Sequence, residues 1–103
     1  MIQVLAIITA KPGQRAAVLE AFRANMPAVQ AEAGCIEYTP LVDVDALGKY
    51  QKNFGPDTFV VVEKWESIDA LKAHARAPHM AEYAAKTRDL IADRAIHVVE
   101  SAA

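Results

Sequence analysis

A chain of 103 residues with 11 basic and 13 acidic side chains has the length of a single domain, residues 1–103, and lacks the basic surplus that nucleic acid demands. Its apolar runs fall far short of the ~20 residues of a membrane-spanning helix. One cysteine, Cys35, leaves no internal disulfide and suits a reducing compartment, so a cytoplasmic location is expected.

Residues 2–10 are apolar on both alternating sets, Ile2, Val4, Ala6, Ile8 and Leu5, Ile7, Thr9, which predicts a strand covered on both faces. No basic flank of the kind that marks a signal peptide precedes it. Lys11-Pro12-Gly13-Gln14 breaks the pattern. From Gln14, Val18, Phe22, Met26 and Val29 recur at helical spacing, and Pro27 predicts a kink, or a stop followed by another turn. Gly34 closes this helix in a left-handed conformation. The next strand runs from Cys35 to about Val42, with Pro40 marking an edge or a bulge. Residues 43–57, with Gly48, Asn53, Gly55 and Pro56, are irregular and long for a hairpin connection, which suits a pocket cover or a contact surface.

Phe59 to Met80 is the stretch around which the rest is organised. Phe59–Trp65 is aromatic and β-branched and reads as a buried strand, with Phe59, Val61, Glu63 and Trp65 on one face. Ser67 is placed as the N-cap of a short helix carrying Ile68, Leu71 and Ala75, and Pro78 ends that helix or begins another. Met80, Tyr83, Ala84, Thr87 and Ile91 then form one face of a long helix. The closing strand is expected over 95–100.

The order β-α-β-β-α-β, with the second helical region in two pieces, is the ferredoxin-like α+β arrangement: a four-stranded antiparallel sheet with helices on one face. Strands one and three are apolar on both faces, so the uncovered side predicts a dimer with its two sheets face to face.

The central stretch brings Glu63, Trp65, His74 and His79 close together. Glu63 stands on an otherwise apolar face, either emerging at the sheet edge beside a basic partner or orienting a histidine. Trp65 reads as core or as pocket lining, its N–H requiring a partner if buried. His74 lies on the helical stripe, as a satisfied core histidine or as a catalytic one, and His79 follows Pro78 at a helix start. With His97, the three histidines show no HxH or HExxH spacing, and no CxxC exists, so no metal site is expected. GxGxxG, GxxxxGK[ST] and GxSxG are absent, which leaves nucleotide-binding and serine-hydrolase readings without support. Cys35 behind Gly34 reads as packing rather than as a nucleophile.

The opening strand leading to Lys11-Pro12-Gly13, the turn Glu32-Ala33-Gly34-Cys35-Ile36-Glu37-Tyr38, Glu63-Lys64-Trp65, and Leu71 and His74 followed by Pro78-His79-Met80 together resemble the antibiotic biosynthesis monooxygenase family, in particular its small quinol monooxygenases. The resemblance implies a dimeric α+β barrel that acts on a quinol or a polycyclic phenol with dioxygen and needs neither flavin nor metal. It implies His74 as base or phenolate partner, Glu63 orienting it, and Trp65, His79, Tyr83 and Phe59 around a small aromatic substrate. A different class of protein, a non-catalytic or stress-related module holding a hydrophobic molecule in the same pocket, fits the same residues. The family also includes haem-degrading enzymes, with an asparagine on the first strand and an axial histidine on the second helix. Here that strand has no asparagine, and Tyr83, Ala84 and Lys86 occupy that part of the helix.

Overall fold

The computed structural model describes residues 1–103. Alternating apolar side chains build four strands, β1 (Ile2–Ala10), β2 (Cys35–Leu41), β3 (Thr58–Trp65) and β4 (Ile91–Val99), joined by helices α1 (Arg15–Gln30), α2 (Ile68–Ala75) and α3 (Pro78–Thr87). The sheet is antiparallel in the order β2-β3-β1-β4. The α+β arrangement is the expected one. Pro40 lies in β2, an edge strand where a missing N–H breaks no second ladder.

One face of the sheet is the core. Val4, Ala6 and Ile8 pair with Glu63, Val61 and Phe59, so this β1 set and this β3 set share the helix side. There they pack with Val18, Leu19, Phe22 and Val29 of α1. Stacking of Phe22 on Tyr38, with centroids 5.0 Å apart, ties α1 to β2. The opposite face has no helix over it: Leu5 is 40% exposed, Leu41 47% and Val99 43%.

Local signals act where the spacing puts them. The Ser67 side chain accepts a hydrogen bond from the Ala70 N–H at 3.1 Å and caps α2. Pro78 starts α3 rather than extending α2. Pro27 falls in the last turn of α1, where its missing N–H forfeits one bond and the helix runs on to Gln30.

The last third of the chain departs from expectation. α3 ends at Thr87, a 3-10 turn covers 88–90, and β4 begins at Ile91, four residues earlier than the period suggested. Ile91 therefore belongs to a strand and not to the helical face with Met80, Tyr83, Ala84 and Thr87. The reason is non-local. Arg94 and Asp93 pair with Ile8 and Thr9 of β1, and this ladder overrides helical spacing.

Gly34, at φ +83°, occupies the left-handed region as expected, but α1 is already capped at Ala31 and Gly34 instead turns the chain into β2. A Cβ there would lie 2.7 Å from the Cβ of Ala70, and the Gly34 carbonyl accepts from the Glu66 N–H at 2.9 Å. Gly34→Ala is therefore expected to cost at least about 1 kcal/mol from the backbone alone. That lowers the melting temperature by roughly 4 °C or more in a domain of this size. An unchanged melting curve would contradict it.

Candidate active site

Between the sheet and α2–α3 lies a cavity of about 500 Å³. Val4, Ala6, Ile8 and Val61 form its floor, and Leu71, Met80, Tyr83 and Thr87 its helical wall. Its volume falls in the range of sites that enclose small organic ligands. Polar groups enter this apolar space at His74, Glu63, Tyr38 and Tyr83, and at Arg88 and Arg94.

His74 is the most constrained of them. Its position near the end of α2 turns the imidazole inward, where it is 6% exposed. The Trp65 ring lies over it with centroids 4.6 Å apart, and Tyr38 meets it edge-on at 5.6 Å. Nδ1 is 2.8 Å from Oε2 of Glu32, in the turn after α1. An ionised carboxylate can only accept, so that nitrogen donates and carries the hydrogen. In neutral imidazole the other nitrogen, Nε2, is then free to take a proton. It stands 3.9 Å from Oε1 of Glu63, too far for a hydrogen bond.

Glu63 faces the helices because β3 alternates and its neighbours Val61 and Trp65 are core. The Trp65 indole N–H donates to Oε1 at 3.0 Å. Burial pushes the Glu63 carboxyl above its ordinary range, against the pull of the Trp65 hydrogen bond and of His74, with Glu32 adding to the rise. The unfolded chain thus ionises Glu63 at lower pH than the folded one. The group's contribution to stability is fully present below the unfolded value and is lost as pH rises through the folded value. Glu63→Gln is accordingly expected to gain melting temperature relative to the parent as pH is raised from about 4 to about 8. A difference between the two proteins that stays flat over that range would refute this.

The remaining residues singled out in the sequence fall into different places. Tyr83 lines the cavity, its phenol pushed up to about 12 by burial despite the Arg94 guanidinium, so it remains a hydrogen-bond donor. Trp65 and Phe59 are fully enclosed and do not reach the cavity wall: Trp65 supports His74 and Glu63 from behind, and Phe59 packs edge-on to Phe22. His79 does not line the cavity, and its Nε2 is 3.0 Å from the same Glu32 oxygen that holds His74. His97 sits on the outward set of β4 opposite Leu5. Sequence reasoning missed Glu32, Tyr38, Arg88 and Arg94. For the first two the signal was present, since both lie in the Glu32–Tyr38 turn that carried the family resemblance. The arginines became legible only with the true start of β4.

Fold and sequence together define the class: the family model "Antibiotic biosynthesis monooxygenase" covers residues 1–86. The chain belongs to that family. It is 38% identical over 102 residues, 97% of each chain, to the Escherichia coli K12 protein named "Probable quinol monooxygenase YgiN". PA3566 from Pseudomonas aeruginosa superposes with a TM-score of 0.82 at 25% identity, over 99% of this chain and 94% of the other. A Nitrosomonas europaea structure, 20% identical over 100% of both chains, superposes at 0.84 and shows the fold alone. No helix is long and apolar enough to cross a membrane.

Proposed function

We propose that this chain is a cytoplasmic, homodimeric oxygenase that inserts one atom of dioxygen into a hydroquinone or a polycyclic phenol, without flavin or metal. The observation that carries the reading is the buried His74, fixed at Nδ1 by Glu32 and presenting Nε2 to an apolar cavity beside Glu63. Family membership and the name of the Escherichia coli relative support it.

For a hydroquinone the overall change is hydroquinone plus dioxygen to hydroxyquinone plus water. Four electrons leave the substrate, two as the ring becomes a quinone and two as one C–H becomes C–OH, and they reduce both oxygen atoms. His74 Nε2 removes the phenolic proton, because the phenolate gives up an electron far more readily than the phenol does. Superoxide and the ring radical then combine at a ring carbon. The C–H proton is lost as the O–O bond breaks, and the departing oxygen collects protons as water. Glu63, which holds its proton to higher pH than an exposed carboxyl, is the proton donor near the departing oxygen. The apolar walls accept the ring and exclude bulk water, and Tyr38 and Tyr83 offer hydrogen bonds to developing negative charge.

The uncovered face of the sheet, with Leu5, Leu41 and Val99 exposed beside Ile7, Val60 and Val62, supports the dimer. Sedimentation giving only a single-chain species would remove that part. Protein freed of metal and flavin is expected to consume oxygen with 1,4-naphthohydroquinone above the autoxidation blank. Binding of hydroquinones with no oxygen uptake would transfer the site to a carrier or sensor of such molecules.

A further inference from the structure

We propose that the aromatic substrate carries an acidic substituent, a carboxylate in the simplest case, at the end remote from the oxidised ring, and that Arg94 and Arg88 bind it. This rests on the cavity being the substrate site. The charged residues of the cavity are sorted along its length. Val4 pairs with Glu63 on one side of β1, and Ile8 pairs with Arg94 on the other, so Glu63 and Arg94 stand four residues apart along the sheet. At ~3.4 Å per residue that is about 14 Å. Arg88 belongs to the Arg94 end, since Ile91 pairs with Ala10 and the Leu90 carbonyl accepts from the Lys11 N–H at 2.8 Å.

Neither guanidinium is committed elsewhere. The ion pairs of the chain are Lys64 with Glu37, His74 with Glu32 and Glu63, and His79 with Glu32. Arg15, by contrast, spends its guanidinium on the carbonyls of Gly55 and Thr58. Glu63 is the single acid lining the cavity, at the far end. Asp93 lies on the opposite set of β4, and neither it nor Asp89 lines the cavity. The two cations therefore sit among Ile8, Thr87, Ile91 and Ile96 with nothing in the cavity to neutralise them.

Both arginines are exposed to solvent as well as lining the cavity, and a neutral quinol offers their guanidinium groups no charge, so it gains no binding from them. An aromatic acid reverses the balance, because the planar guanidinium fork matches a carboxylate with paired, charge-assisted hydrogen bonds. The same contact fixes orientation: with the acid held at Arg94 and Arg88, the hydroxyl at the other end of a two-ring molecule is directed toward His74 and Glu63.

Calorimetric titration without oxygen, using 6-hydroxy-2-naphthoate and 2-naphthol, separates the contributions. The hydroxyls match, and at neutral pH only the first probe carries an anion at the opposite end. The parent protein is expected to bind the naphthoate about 10-fold or more tightly than the naphthol, the lower range for a hydrogen bond to a charged group. The ratio of dissociation constants is expected to fall toward one in the Arg88→Gln, Arg94→Gln double variant, whose substitutions are exposed and leave the core intact. Equal affinities in the parent, or a ratio that survives both substitutions, would overturn the assignment. Because the readout needs no turnover, a preference for the naphthoate lost in the variant upholds the arginine site even if hydroquinones consume no oxygen. Turnover of hydroquinones with a binding ratio near one overturns the arginine site and leaves the oxygenase reading standing.

Discussion

His74→Ala is expected to lower hydroquinone-dependent oxygen uptake by about 10²-fold or more, the contribution of a positioned general base. The size of the effect follows from the cavity. His74 is the cavity residue placed to take a proton from a substrate hydroxyl, since its Nδ1 is held by Glu32 and Nε2 is left to accept, while burial pushes the Tyr38 and Tyr83 phenols above their ordinary range. Glu63 does not replace the imidazole, because burial favours its protonated form, which has a proton to give and none to take. Truncation also removes a ring packed between Trp65 and Tyr38, so some loss of stability is expected alongside. His74→Gln serves as the control, filling the space with an amide that can still donate to Glu32 and cannot act as a base. Loss of uptake in both variants, with both folded by circular dichroism, fits the base role, and parent activity in His74→Gln would end it.

Glu32→Ala should act nearly as strongly through His74. One Glu32 oxygen holds His74 Nδ1 at 2.8 Å and His79 Nε2 at 3.0 Å, tying the end of α2 and the start of α3 to the turn after α1. Without it, a buried Nδ1–H is left with no acceptor, at a cost of about 1–3 kcal/mol. The imidazole is also free to adopt the other tautomer, which puts the hydrogen on the nitrogen that has to accept one. Because the base is then mispositioned or in the wrong tautomer, kcat is expected to fall by about 10²-fold, the lower end of a general base's contribution. KM should change much less, because Glu32 does not line the cavity. Steady-state oxygen consumption reads both quantities, and a rise in KM with kcat preserved would assign Glu32 to binding instead.

The strands, the Ser67 cap and the inward face of Phe59, Val61, Glu63 and Trp65 were legible because each rests on spacing or on a local hydrogen bond. The start of β4 was not: residues 91–94 carry an equally good helical pattern, and their pairing with β1, more than 80 residues away in the chain, decides the outcome. Depth within the core was also beyond the pattern. Period two puts Trp65 and Phe59 on the inner face, but both are sealed beneath other side chains while their neighbour Glu63 reaches the cavity. Glu32 shows the same limit at the site itself. Its partners lie 42 and 47 residues further along, and only the folded turn brings one carboxylate against two histidines.

Turnover of 1,4-naphthohydroquinone under heavy-isotope dioxygen addresses the proposed chemistry most directly. Mass spectrometry of the product is predicted to find hydroxyquinone bearing one labelled oxygen, with the second labelled atom in water. Unlabelled quinone together with labelled hydrogen peroxide would mean that the cavity removes electrons without inserting oxygen, and would contradict the account.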